Sequence, residues 1–131
     1  MSMIDPVADA LIQIKNAEFV SKKDCTITPA SKFIGDILKV AKESGYISDF
    51  EKQEPKKGMI SYKVQLNGKI NTILAIKPRY AVKRENYEKY EKRYLPARDV
   101  GILVVSTPQG LMTHRQAKEK GVGGRLIAFI Y

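Results

Sequence analysis

Cysteine and histidine are the scarcest chemistry-bearing residues of this 131-residue chain, which has one of each, Cys25 and His114. A single cysteine excludes an internal disulfide and points to a reducing compartment. Together the two residues are too little for a transition-metal site, so neither a metal nor another cofactor is expected. Nothing beside Cys25 predicts a depressed thiol pKa, and it reads as a small packing residue. Hydrophobic runs are short. None approaches the ~18 residues that span a bilayer, and no segment joins a basic face to a strongly apolar one as a membrane-surface helix does. No secretory leader is evident, since a basic stretch ahead of a long apolar core is missing. Enzyme motifs are missing as well. There is no G-x-x-x-x-G-K-[ST] loop, and Gly121-Val122-Gly123-Gly124 follows a helical segment instead of opening one. Ser106 and His114 can be paired on paper as nucleophile and base. They lack an orienting acid, an oxyanion hole and the G-x-S-x-G elbow, so no catalysis is expected.

What the chain has is positive charge. Its net charge is +9 with a pI near 9.6, which points to a polyanionic partner. The distribution is uneven. Residues 1–75 hold 11 Lys and Arg against 9 Asp and Glu, a net of +2, whereas residues 76–131 hold 12 against 5, a net of +7. An acidic protein partner would also be served by this charge, and a salt-dependent titration on structured RNA separates the two.

The C-terminal stretch organises the rest. Ile102-Leu103-Val104-Val105 is a continuous apolar run, read as a strand buried on both faces. It stops at Ser106-Thr107-Pro108-Gln109-Gly110, where Pro108 cannot donate to a ladder and Gly110 tolerates a turn. Thr113-His114-Arg115-Gln116 is a capping box, predicting a short helix over about 114–120 that Gly121 closes. Gly123 and Gly124 make a second turn before a final strand, Arg125 to Tyr131. Short hydroxyls and glycine backbone on strand ends, the first group beside the positive end of a helix, suit phosphate or ribose. Turn chemistry alone also explains such clusters.

Upstream, Asp5 and Pro6 predict the start of a helix whose Val7, Ala10, Leu11, Ile14 and Ala17 form one buried stripe. Lys15 and Asn16 face away, as RNA contacts or as a solvated face. Cys25 to Thr28 reads as a strand ended by Pro29. A second helix starts near Ser31-Lys32, buries Ile34, Ile37, Leu38 and Ala41, and ends at Gly45. A strand from Tyr46 to Phe50 follows. Pro55-Lys56-Lys57-Gly58 reads as a basic turn and Ile60 to Leu66 as a strand. Asn67-Gly68 is a hairpin signal, predicting that Ile70 to Ile76 pairs back. The lobe boundary is expected between Asn67 and Pro78, giving lobes 1–70 and 71–131.

Residues 77–98 carry eight basic residues, three Glu and four Tyr. Lys77, Arg79, Lys83, Arg84, Arg93 and Arg98 interleave with Tyr80, Tyr87, Tyr90 and Tyr94, as on a surface that tracks phosphates and stacks on sugars or bases. The plainer account is a helical tyrosine stripe packing inward, with Glu85, Glu88, Lys89 and Lys92 making weak surface pairs.

DPVADALIQIKNA, PASKFIGDILKVAKESGYI and ARDVGILVVSTPQGLMTHRQAKEKGVGGRLIAFIY, in this order, resemble the small-subunit ribosomal protein eight family from end to end. YEKYEKRYLPARD and the terminal aromatic strand resemble its archaeal branch. The resemblance implies an α+β fold of two small lobes, the first with two helices on a short sheet, the second mostly β with one short helix. It implies a cytoplasmic protein of the small ribosomal subunit, monomeric when free. Its partners would be the central domain of small-subunit rRNA, bound early in assembly, and neighbouring ribosomal proteins. The Ser106–Gly110 loop would sit against the minor groove and irregular core of an RNA helix. Ser106 and Thr107 match the family's hydroxyl pair, Gly123 and Gly124 its Gly-Gly pair, while Gln109 stands at a variable position and Arg125 reads as a general charge contact. With Gly110, His114 and Arg115 beside the loop, the basic residues of 77–98, and Lys15, Asn16, Ser31 and Lys32, these complete the candidate contact set. The alternative function is RNA binding outside the ribosome, such as on its own messenger.

Overall fold

Helix α1, Pro6–Phe19, begins on a residue whose φ is already set for a helix and which has no N–H to leave unpaired. Its buried side chains are Val7, Ala10, Leu11, Ile14 and Ala17, the stripe expected from their spacing. The computed structural model describes residues 6–27, 31–97 and 99–131, so Asp5, Thr28 and Pro29 lie outside the described residues. Strand β1, Asp24–Ile27, precedes helix α2, Lys32–Glu43. Ser31 is its N-cap, accepting from the Ile34 N–H at 3.4 Å, and the chain leaves it through Gly45 at φ 82°. Cys25 is half-buried, and that burial pushes its thiol pKa up, against a smaller downward pull from Lys22. The thiol therefore stays protonated and unreactive.

Strands β2, Ile47–Lys56, and β3, Met59–Leu66, complete an antiparallel sheet of order β1-β3-β2. Pro55 lies inside β2, not in a turn. β2 is an edge strand whose register shifts between Gln53 and Lys56, and a bulged edge tolerates a residue with no N–H. The turn is confined to Lys57-Gly58. β3 is the central strand, burying Ser61, Tyr62, Val64 and Leu66. Both its edges are taken, by β1 and β2, so the segment after Asn67-Gly68 has nothing to pair with there. The expected hairpin is absent for that reason. Asn67 instead shapes an open turn, accepting from the Lys69 N–H at 3.1 Å and donating to the Gly45 carbonyl at 3.2 Å. Ile70 leaves the ladder altogether, its N–H donating to Glu18 at 3.1 Å.

The chain divides into two compact units at Ile73 and Leu74, at the start of strand β4, Ile73–Ala75. The second unit adds strand β5, Ala81–Val82, helix α3, Tyr87–Tyr94, strands β6, Ile102–Thr107, and β7, Gly110–Thr113, helix α4, His114–Lys120, and strand β8, Gly124–Ile130. The sheet order is β4-β8-β6-β7, with β5 also paired to β8. Four helices and two antiparallel sheets make the described residues an α+β fold. Two helices serve the second unit where one was expected, because the tyrosine stripe of 87–94 folds as α3. Ile102, Leu103, Val104 and Val105 are all 5% exposed or less, which accounts for their unbroken apolar run. One side of this sheet holds the unit's core of Leu103, Val105, Met112, Leu126, Ala117 and Tyr87.

Candidate functional site

β6 and β7 form a tight hairpin around Pro108-Gln109, with Thr107 opposite Gly110 and Ser106 opposite Leu111. The hairpin explains why the two adjacent hydroxyls behave differently. Thr107, 9% exposed, donates from Oγ1 to the Gly110 carbonyl at 2.8 Å and accepts from the Gln109 N–H at 3.1 Å. Its hydroxyl is engaged in building the turn. Ser106 points to the other side of the sheet, half-exposed, and among the described residues its hydroxyl makes no hydrogen bond.

The register extends that position into a row. Ser106 faces Arg125 of β8, Arg125 faces Ala81 of β5, and on the other flank Ser106 faces Leu111 of β7. Directly opposed residues of antiparallel strands share a sheet side. Ala81, Arg125, Ser106 and Leu111 therefore line one surface, and all four are exposed or partly exposed. Val105, Leu126 and Met112 of the adjoining row point to the core. The floor is shallow, since alanine and serine rise little above the backbone, and one cationic arm crosses it. Arg125 donates from Nη1 to the Arg79 carbonyl at 3.3 Å.

The two glycines before Arg125 bring three backbones together. A Cβ on Gly124 would stand 2.3 Å from the Ser106 carbonyl oxygen, and one on Gly123 would stand 2.6 Å from the Val82 carbonyl oxygen. Neither glycine adopts a positive φ, so close approach, not turn conformation, is what requires them. That approach sets Lys83 and Arg84 beside Gly123, both side chains exposed. Arg84 is only loosely tied to Glu85, at 3.9 Å.

Among the sequence candidates, the structure thus assembles Ser106, Arg125, Gly123, Gly124, Lys83, Arg84 and Arg79 in one neighbourhood. Thr107, Gln109 and Gly110 adjoin it as the turn, with Gln109 exposed at its tip. Lys77 is exposed just before Arg79 in the chain. Ala81 and Leu111 join the row without having been singled out, because strand register alone reveals them.

Other candidates fall elsewhere. His114 is 2% exposed. Its Nδ1 accepts from the Leu103 N–H at 3.0 Å and its Nε2 faces the Glu91 carboxylate at 3.2 Å, so the ring offers no free atom to a ligand. Glu91 also contacts Lys118, tying α3 to α4. The start of α4 carries its own capping box, Gln116 and Thr113 bonding reciprocally at 3.0 and 3.2 Å, which occupies the Thr113 and Gln116 N–H groups. Arg115 is exposed and 3.9 Å from Asp99. Arg93 belongs to α3 and packs on tyrosine rings. Lys15, Asn16, Ser31 and Lys32 are in the first unit, and Ser31 already serves as a helix cap. Arg98 lies outside the described residues.

The row fits nucleic acid chemistry. A wide, shallow groove of an A-form helix displays 2′-hydroxyls and base edges, which a low floor with one free hydroxyl can approach. Flanking cations hold phosphates and set orientation without reading sequence. A family model described as ribosomal protein S8 matches residues 5–131. The chain belongs to that family. It is a small-subunit ribosomal protein that binds rRNA, in a family of structural components and not of enzymes. Among the described residues no helix of this S8-family protein is long and apolar enough to cross a membrane.

Proposed function

We propose that this S8-family protein binds the central domain of small-subunit rRNA early in assembly, as a cytoplasmic protein that is monomeric until it joins the particle beside other ribosomal proteins. The Ser106 row is the surface presented to the shallow groove of an RNA helix. The observation that carries this reading is the free, rigidly held Ser106 hydroxyl, set between Arg125 and Leu111 on a floor that two glycines keep low. The strand on which it stands is buried, so the hydroxyl has a defined position and bonds only where groove geometry matches.

The test is a titration of a hairpin from the central domain and of an unrelated duplex at several salt concentrations. If ~4–6 phosphates are neutralised, log affinity falls against log salt with a slope of roughly −3 to −5. A slope near zero defeats the electrostatic part of the reading.

Ser106→Ala separates shape from charge in the same assay. It removes one hydroxyl without disturbing the core and is expected to weaken the cognate hairpin by ~1–2 kcal/mol, the range of one polar contact. The unrelated duplex should be unaffected. Lys83→Ala or Arg84→Ala should weaken both RNAs alike and lower the salt slope by about one. If Ser106→Ala weakens both RNAs equally, or neither, the loop is only a turn.

A further inference from the structure

The core-facing side of the second sheet carries a feature that the Ser106 row does not use. The rings of Tyr80 and Tyr90 lie 5.8 Å apart, and Arg93 sits over Tyr80 at 5.1 Å and over Tyr94 at 5.3 Å. Tyr94 stacks on Phe129 at 5.4 Å, and Phe129 on Tyr131 at 6.0 Å. Lys89 stands over the Tyr90 end of the file, 5.6 Å from that ring. Five rings from three separate segments thus form one continuous file, each half-exposed and packed against the unit's core. Anchoring α3 does not require so many. Tyr87 is fully buried and its hydroxyl donates to the Val122 carbonyl at 2.9 Å.

The register places this file away from the row. Phe129 pairs with Leu103, which lies in the core with Val105 and Leu126, whereas Ser106 and Arg125 point to the other side of the sheet. An RNA helix lying on the row therefore leaves the rings uncovered.

Charge and geometry select the occupant. Arg93 and Lys89 are exposed and, among the described residues, neither pairs with a carboxylate. Of the weak surface pairs expected of Glu85, Glu88, Lys89 and Lys92, only that of Glu85 forms among the described residues, with Arg84 at 3.9 Å, while Glu91 is held by Lys118 and His114. Arg93 is fixed between two rings and by a hydrogen bond from Nη2 to the Tyr80 hydroxyl at 3.4 Å. Its remaining N–H groups are available to a ligand. A pre-positioned, uncompensated guanidinium among half-exposed rings suits a phosphate that is next to a base with a free face. A duplex offers phosphates but keeps base faces inside its stack, and an acidic peptide would satisfy Arg93 while leaving the rings without a stacking partner.

We infer that the Arg93 ring file is a second RNA-binding site, taking a short run of unpaired nucleotides with a phosphate on Arg93 and bases against the tyrosines. It goes beyond the helix contact proposed above and does not depend on it. The probe is a labelled single-stranded oligoadenylate about ten nucleotides long, followed by anisotropy beside a fully paired duplex. The wild-type protein is expected to bind the oligoadenylate. Its tyrosine fluorescence, read without interference because the chain has no tryptophan, should fall on binding.

Arg93→Ala and Tyr94→Leu are each expected to weaken the oligoadenylate about tenfold, the size of one lost stacking or phosphate contact. Duplex binding should stay within about twofold, and Ser106→Ala should leave the oligoadenylate unaffected. Arg93→Lys keeps the charge, loses the planar fork and should fall between; being a surface change, it carries the test if Tyr94→Leu lowers the melting temperature. Unchanged oligoadenylate affinity in the Arg93 variants overturns the inference, as does an equal loss on the duplex. No oligoadenylate binding, with Arg93-dependent binding of a polyglutamate peptide instead, overturns it in favour of a protein partner.

Discussion

Gly124→Ala is expected to be the most damaging conservative substitution in the second unit, lowering stability by roughly 3 kcal/mol or more. The added methyl would stand 2.3 Å from the Ser106 carbonyl oxygen and 2.9 Å from a Val105 methyl. The first of these neighbours is backbone in a strand buried on both sides, so it cannot swing away as a long side chain would. Relief requires β8 and β6 to separate where Ser106 pairs with Arg125 and Val105 with Leu126, which opens the core and tilts the row together. In a chain of this size the loss corresponds to a fall in melting temperature on the order of 10 °C, and cognate RNA affinity should fall with it. Gly58→Ala is the informative comparison. Gly58 has φ 81° but nothing within 4 Å of the added carbon, so its replacement carries only backbone strain, about 1 kcal/mol. Differential scanning fluorimetry of the two variants decides the matter. A Gly124→Ala protein that melts within a degree or two of wild type would show that the two strands have room, and the account of the glycine pair would fail.

That glycine pair shows where reading the sequence stops. Gly123-Gly124 is legible as a break between a helix and a strand, but the backbones that press on it come from Val82 and Ser106, distant in sequence and unsignalled there. Local patterns fared better. The stripes of α1 and α2, the capping box from Thr113 to Gln116 and the left-handed Gly121 are each set within a few residues, and each is present. Which of Ser106 and Thr107 faces outward was not legible, because Ile102 to Val105 is apolar at every position and an unbroken run gives no facing. Asn67-Gly68 was misleading for a related reason: turn chemistry is local, but whether a hairpin follows depends on the free edges of β3, and strands β1 and β2 occupy both. His114 looked like a loop-side contact because its neighbours in sequence are Thr113 and Arg115. Its true neighbours are Leu103 and Glu91.

Acidification is expected to destabilise the protein through His114 specifically. Burial holds this imidazole neutral and lowers its pKa to about 4 from an ordinary 6.5. The Glu91 carboxylate pulls the other way, and Lys118 and Arg115 add to the lowering. The Leu103 N–H donates to Nδ1, so in the neutral ring Nε2 carries the proton and donates toward Glu91. A base whose pKa is depressed by folding stabilises the native state when neutral. Its contribution is complete above pH 6.5 and declines as the pH falls towards 4, because over that window the unfolded chain takes up a proton that the folded chain refuses. A shift from 6.5 to about 4 is worth roughly 3 kcal/mol in all, most of it gone by pH 4.5. His114→Gln isolates the titration from the packing. Glutamine can accept the Leu103 N–H through its carbonyl and donate to Glu91 through its amide, and it does not titrate. The variant should lie within about 1 kcal/mol of wild type at pH 7, then lose about 2–3 kcal/mol less than wild type between pH 7 and pH 4.5. Urea denaturation of both proteins across this range measures the difference directly, with the titrating carboxylates common to both cancelling. Parallel stability curves would mean that His114 takes up its proton in the fold just as in the unfolded chain, and a wild type that gains on the variant as the pH falls would mean that the ring is already protonated at neutral pH, as one half of an ion pair with Glu91; on either result the neutral-ring assignment would have to be given up.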